Sequence, residues 1–286
     1  MDVVNAGTRM SAADITELAS TPDILQLGML ADASRRRLHG ARVTYVRVAS
    51  CDFDKSFSEA VPPAAREVRI TGAPPTLAVA LSAVASARAV AGERAVSGFS
   101  WLDVERLAEG RMARALGELR GKGLDALGEI PMDRVGDLDA AVEQLTGAGY
   151  QYVRLTIEKM PAVERPALLL RAAELQDRYS AIQAINPLPS SLQAFRPTTG
   201  YEDVKMVAIA RLAAPNVPTI QVDWRRYGPK LAQVALTFGA DDLDGVSASD
   251  EAPDGRRRAP LEEVRRNIQA AGFSPAERDG RFNVVS

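Results

Sequence analysis

Cysteine and histidine are nearly missing from this chain of 286 residues, which has one of each, Cys51 and His39. One cysteine excludes an internal disulfide and any metal site built from cysteines alone. Long apolar runs are missing too, since none approaches the roughly 18 residues that a bilayer span needs. There is no excess of either charge: the formal net charge is -2, so no global field recruits nucleic acid or an anionic membrane surface. The first residues, Met1-Asp-Val-Val-Asn-Ala-Gly7, lack the basic-then-apolar order of a secretory signal. Together these absences predict a cytoplasmic protein that works with neither nucleic acid nor membrane. What is present is a hydrophobic fraction of 46%, enough for a large core, in a length close to the roughly 250 residues of a single barrel domain.

The patterning gives an α/β protein: one (βα)8 barrel over residues 41–286, preceded by a helical extension over residues 1–40. In the extension, Asp14 is placed to cap a first helix with Glu17 completing the capping box. Thr21 and Pro22 are placed to open a second. Leu25, Met29, Leu30 and Leu38 give that second helix an apolar stripe, Gly40 ends it, and Arg35-Arg36-Arg37 suit its C-terminal dipole or a phosphate. Eight strand candidates follow: Val43–Ala49, Glu67–Thr71, Ala95–Ser100, Leu124–Glu129, Tyr152–Ile157, Ala181–Asn186, Thr219–Trp224 and Asp241–Gly245. Helical patterns alternate with them, among them Leu102–Glu109, Arg111–Arg120, Leu138–Thr146, Arg165–Gln176, Tyr201–Ala213 and Leu261–Ala271. Asp52–Arg66 reads as a loop where the first crossover helix belongs, and Ser247–Arg258 as a surface loop.

Side chains alternate across a strand, so parity sorts each strand into a helix-facing and a lumen-facing set. In the seventh strand Ile220, Val222 and Trp224 form the apolar face and Gln221, Asp223 and Arg225 the polar one. The same rule turns Arg47, Arg69, Thr71, Ser97, Asp125, Glu129, Arg154, Thr156, Glu158, Asp242 and Asp244 toward the lumen or its mouth. A barrel built only for stability fills its interior with branched apolar layers. Ions there are costly unless they meet each other, a ligand or water. Two readings stand: a polar ligand site, or an internally paired network. Asp223, Asp242 and Asp244 are the candidate catalytic groups, for general-base or hard-metal work. Arg154, Arg225 and Arg226 suit a carboxylate or phosphate clamp. Trp101 and Trp224 suit either the core or the wall of an aromatic-ligand pocket. His39 lies before the first strand and Cys51 after it, too far apart along the barrel axis for a nucleophile–base pair. Cys51 reads as a small half-buried residue, and His39 as satisfying a helix-end carbonyl.

Several segments in register resemble one family. Leu38-His-Gly-Ala-Arg-Val-Thr-Tyr-Val46 is similar to the approach to the first strand of the menaquinone-pathway radical SAM enzymes. Those are aminofutalosine synthase and the cyclase of dehypoxanthine futalosine, with the deazaflavin synthase subunits as cousins. Thr199-Gly-Tyr-Glu-Asp-Val-Lys-Met-Val-Ala-Ile-Ala-Arg-Leu212, Asn216–Trp224, Lys230–Leu236, Phe238–Gly245 and Glu277–Asp279 continue the resemblance in order. It implies a [4Fe-4S] cluster on Cys-x3-Cys-x2-Cys just after the first strand, with S-adenosylmethionine on its open iron. Here that stretch is Cys51-Asp-Phe-Asp-Lys-Ser-Phe-Ser58, with a single thiol, and thiolates normally hold such clusters. The family's second-strand Gly-Gly is reduced to Thr71-Gly72-Ala73. Cluster and S-adenosylmethionine are therefore expected of the family but not of this chain, and no metal site is predicted.

The expected function is a radical-SAM-like barrel without its cluster, associated with the futalosine route to menaquinone. It would bind a small polar or aromatic carboxylate in its mouth, or support a radical SAM enzyme as a partner. Two alternatives stay open: a non-radical lyase or hydrolase using mouth carboxylates with or without a divalent metal, and a non-catalytic interaction subunit.

Overall fold

The computed structural model describes residues 10–58, 61–190, 199–252 and 258–285. Eight parallel strands close into a barrel: β1 (Arg42–Asp52), β2 (Glu67–Thr71), β3 (Ala95–Ser100), β4 (Ala126–Pro131), β5 (Val153–Ile157), β6 (Ile182–Pro189), β7 (Thr219–Asp223) and β8 (Asp242–Ser247). Closure comes from β1, which pairs with β8 through Thr44–Val48 and with β2 through Val48–Asp52. Apolar outer faces such as Ile220 and Val222 on β7, Leu155 on β5 and Leu243 on β8 are fully buried against the helix layer. Such burial is the main stabilising contribution, at roughly 25 cal/mol per Å².

Two helices, α1 (Ala12–Ser20) and α2 (Ile24–His39), precede the barrel. Its outer layer holds α3 (Leu77–Ala91), α4 (Trp101–Ala108), α5 (Met112–Gly121), α6 (Leu138–Gly147), α7 (Arg165–Tyr179), α8 (Gly200–Ala213), α9 (Trp224–Leu236) and α10 (Pro260–Ala270). Among the described residues between β1 and β2 there is no helix, as Asp52–Arg66 predicts. Of the expected loop Ser247–Arg258, residues 253–257 lie outside the described residues. The α9 segment bends at Gly228, whose φ of 72° breaks the helix ahead of Pro229.

The extension corrects several sequence expectations. The cap of α1 is Ser11, not Asp14: the Ser11 side chain accepts from the Asp14 N–H while the Asp14 carboxylate accepts from Ser11. The cap of α2 is Asp23, not Thr21, because the Asp23 carboxylate reaches the Gln26 N–H at 2.9 Å. The stripe of Leu25, Met29 and Leu38 faces solvent, with Leu25 73% exposed. The buried face is Leu27, Gly28, Ala31, Ser34 and Arg35. Small residues let α2 come close to the layer beneath: a Cβ at Gly28 would lie 2.9 Å from the Phe238 ring. Arg35 is fully buried over Phe273, 4.1 Å from its centroid, and bonded to Asp32 at 3.0 Å. Packing, rather than the helix dipole, governs Arg35.

One element has no counterpart in the sequence reading. A short strand, β9 (Ser274–Glu277), pairs with the first residues of β1, and the chain after it turns across the amino-terminal end of the barrel. Arg278 thereby enters the lumen, and Phe282 lies beneath its guanidinium at 3.9 Å.

Candidate functional site

Strand parity places the polar set inside, and the structure divides it into a floor and a mouth. At the floor Arg154 holds Glu67 with two parallel bonds of 2.9 Å. Arg69 holds Asp244 with bonds of 2.8 and 2.9 Å and also reaches Glu67 at 2.8 Å. Arg278 holds Asp242 at 2.6 and 2.8 Å, and Asp242 further accepts from Gln221 and Thr44. Ser97 donates to Glu67. Bidentate arginine–carboxylate geometry is what allows such ions to stay charged away from water. Burial pushes the Glu67 carboxyl up, but Arg154 and Arg69 outweigh it and hold Glu67 down to about 2. Asp244 follows the same balance: against its burial, Arg69, Arg154 and Arg278 keep it well below the usual carboxylate range.

Above the floor, at the carboxyl ends of the strands, lies a cavity of about 600 Å³. Of the predicted site residues, Arg69, Thr71, Glu129, Thr156, Asp223, Arg225 and Asp244 line it. Ser97, Arg154 and Asp242 belong to the network beneath. Arg47 and Glu158 lie outside it: Arg47 pairs with Glu277 at 2.6 Å and Asp250 at 3.2 Å, and Glu158 with Arg134 at 3.6 Å. Gln221, on the polar face of the seventh strand, lines it too, and so do residues that the sequence reading did not place there, among them Ser50 and Asn186. Glu67 shares the parity of Arg69 and Thr71, which was signal enough to find it. Arg278 had no such signal, because its position depends on β9.

The mouth is less paired than the floor. Arg225 and Arg226 are exposed on the first turn of α9 and form no ion pair within 4.0 Å among the described residues. Of the three arginines predicted as a clamp, Arg154 is bound to Glu67, while Arg225 and Arg226 line the cavity. Asp223 caps α9 by accepting the Arg226 N–H at 2.9 Å. Burial, then the neighbouring Asp244 carboxylate, raises the Asp223 pKa. Burial likewise raises Glu129, only partly offset by Arg226. The Thr156 hydroxyl, nine-tenths buried on the cavity wall, has no hydrogen-bond partner. Trp101 is buried in the core away from this wall, and Trp224 lines a neighbouring cavity of about 460 Å³. Of the catalytic candidates, Asp242 and Asp244 are bound to arginines, and Asp223 faces the cavity without one.

The residues around Cys51 do not fit a [4Fe-4S] cluster. Its thiol is 4% exposed and donates weakly to the carbonyls of Asp52 and Ser56, each at 3.7 Å. Burial, with Asp52 and Asp54 nearby, raises its pKa and keeps it protonated. No group of three or more His, Cys, Asp or Glu placed to hold a metal occurs among the described residues. His39 lies at the opposite end of the barrel on the Pro218 carbonyl, at 2.8 Å. No helix among the described residues is long and apolar enough to cross a membrane.

Residues 188–286 match the family model of the CofH/MqnC C-terminal region. Over 130 residues the chain is 36% identical to the 5-amino-6-(D-ribitylamino)uracil–L-tyrosine 4-hydroxyphenyl transferase of Archaeoglobus fulgidus, covering 41% of this chain and 38% of that protein. Over 138 residues it is 33% identical to the aminodeoxyfutalosine synthase of Streptomyces coelicolor, covering 41% and 36%. The match thus spans little more than a third of the length of these relatives. Among solved structures, methylornithine synthase superposes over 96% of both chains with a TM-score of 0.67 at 17% identity. The [FeFe]-hydrogenase maturase HydG gives 0.67 at 11%, over 96% of this chain and 74% of its own. At such identities the two structures speak to the fold alone. The carboxyl-terminal third of this chain is thus similar to the CofH/MqnC C-terminal region, and its curated relatives include an aminodeoxyfutalosine synthase and a 4-hydroxyphenyl transferase.

Proposed function

We propose that this barrel binds a small polar carboxylate in the cavity at its mouth, and that it does so without radical chemistry of its own. The observation that carries the reading is the contrast in pairing. Floor arginines are matched to carboxylates, while Arg225 and Arg226 stand over a cavity of about 600 Å³ without an acid partner. Arginine is well suited to a carboxylate, which it grips with two parallel bonds. The unpartnered Thr156 hydroxyl, with Asn186 and Gln221, supplies the neutral groups that hydroxyls or amides of the same ligand would meet. The single buried thiol supports the absence of a cluster. The names of the relatives suggest ligands of the aminodeoxyfutalosine kind or an aromatic amino acid, and with them a role beside the futalosine route.

Native mass spectrometry of freshly purified protein is the direct test, with an anionic small molecule expected to be retained. Anaerobic reconstitution with iron and sulfide is expected to give no cluster absorbance. Cleavage of S-adenosylmethionine by the reconstituted protein would refute the reading. A second reading, a lyase or hydrolase, draws support from Asp223 and Glu129, whose raised pKa values suit proton transfer. A metal-free, ligand-independent turnover abolished by Asp223→Asn would favour it. A partner-subunit role is less supported: none of the large exposed apolar side chains among the described residues lies in the loop after β1.

A further inference from the structure

Phe99 holds a backbone conformation that bulky residues rarely adopt, with φ at 57° near the carboxyl end of β3. Such strain persists only where the surroundings over-determine it, and it gathers at ligand sites. Here the surroundings do so from both sides. One residue on, Ser100 caps α4: its hydroxyl and N–H donate to Asp103 at 2.9 and 3.0 Å, and it accepts the Asp103 N–H at 3.1 Å. Two residues back, Ser97 is tied to Glu67 in the floor. The chain passes from strand to helix with no linker, and two glycines leave the space for it. A Cβ at Gly98 would lie 2.8 Å from the Ile70 side chain, and one at Gly128 would lie 3.3 Å from the Phe99 carbonyl oxygen.

A left-handed turn by itself calls for glycine. Phenylalanine at this position therefore needs a separate reason, and the cavity supplies one. Phe99 shares strand parity with Ser97, so it belongs to the inner face, and it lines the cavity while only 5% exposed. Among the described residues it is the one aromatic that lines the cavity, and Gly128, beside it on β4, adds no side chain to the same wall.

We propose that Phe99 is a specificity-determining residue, the wall against which a flat ring of the ligand lies while the carboxylate of that ligand reaches Arg225 and Arg226. This rests on the carboxylate reading above. The favoured class is an aromatic or heteroaromatic carboxylate over a saturated one.

The test uses the full chain and two probes, benzoate and cyclohexanecarboxylate, which carry the same anion on a flat and on a puckered ring. Calorimetry or ligand-observed NMR is expected to show benzoate preferred by about fivefold, the scale of an aromatic pair beyond its buried area. Phe99→Leu is expected to bring that preference close to one while leaving cyclohexanecarboxylate binding within about twofold. Should Phe99→Leu fail to fold, Phe99→Met provides the same comparison. Phe99→Gly is expected to melt at a higher temperature than Phe99→Ala, because glycine takes this φ without strain; the reverse order overturns the premise of strain. Equal affinity for both probes, or a preference that survives Phe99→Leu, overturns the role of Phe99 and leaves the carboxylate reading standing. Binding of neither probe overturns both.

Discussion

At the floor of the barrel Glu67, Asp242 and Asp244 meet Arg154, Arg69 and Arg278 in bonds of 2.6 to 2.9 Å. Near the other end of the same lumen Asp223 and Glu129 have raised pKa values, and Arg225 and Arg226 have no acid within ion-pair distance. Both ends use arginines and carboxylates, yet only one has completed its pairs. A completed network is a structural element: its charges are satisfied and it offers little to a ligand. An incomplete one at the strand ends is what a barrel presents to a small molecule. The sequence left two readings of the polar lumen open; the floor is the internally paired network, and the proposed ligand site is confined to the mouth.

Breaking the floor is expected to have the largest effect. Glu67→Ala leaves Arg154 and Arg69 without their shared acid and should cost about 3–5 kcal/mol, read by urea denaturation. Acid should act on the same level. Because the carboxyls of Glu67 and Asp244 are lowered on folding, their contribution is fully present above the ordinary carboxylate range. It is lost as the pH falls through the folded value, about 2 for Glu67. The urea midpoint should therefore drop between about pH 4.5 and pH 2, and Glu67→Gln should flatten that drop. Asp223 and Glu129 carry the opposite sign: being raised, they favour the fold at low pH and weaken it as the pH rises.

Gly72 tests the wall of the mouth. Its φ is 85°, and a Cβ there would lie 2.6 Å from an Asp52 carboxylate oxygen and 2.8 Å from the Phe53 ring. Gly72→Ala should cost about 1–2 kcal/mol by thermal melting. The smallest stability change belongs to Arg226→Ala. With no ion pair to lose, it should stay within about 0.5 kcal/mol of the parent. It should nevertheless weaken retention of the carboxylate by at least about tenfold in calorimetry, the scale of losing one charged hydrogen bond. A large stability loss at Arg226, or a negligible one at Glu67, would erase the distinction between floor and mouth.

Much of this was legible beforehand because strands carry a period of two. Glu67–Thr71 and Ala95–Ser100 match their observed bounds, and Thr219–Trp224 runs one residue past β7. The polar faces of the fifth and seventh strands turn inward as parity requires. Where the reading failed, the deciding atoms came from elsewhere in the chain. Leu25 and Met29 form a plausible helical stripe, yet α2 packs through Gly28 and Ala31 because the Phe238 ring comes so close. Thr21 and Asp14 are good caps by type, but neighbours made better ones. Arg47 has lumen parity and pairs instead with Glu277 on β9.

The sequence by itself determined the alternating elements, the polar inner faces and the solitary thiol, because each is a property of residue type and spacing along one segment. Only the tertiary structure decided which charges are paired. That depends on β9 carrying Arg278 into the lumen beside Asp242, residues 36 positions apart, and on Glu67 meeting Arg154 across 87. Coulombic pairing and desolvation act over a few ångströms of space, so they cannot be read until the fold has set which side chains share it.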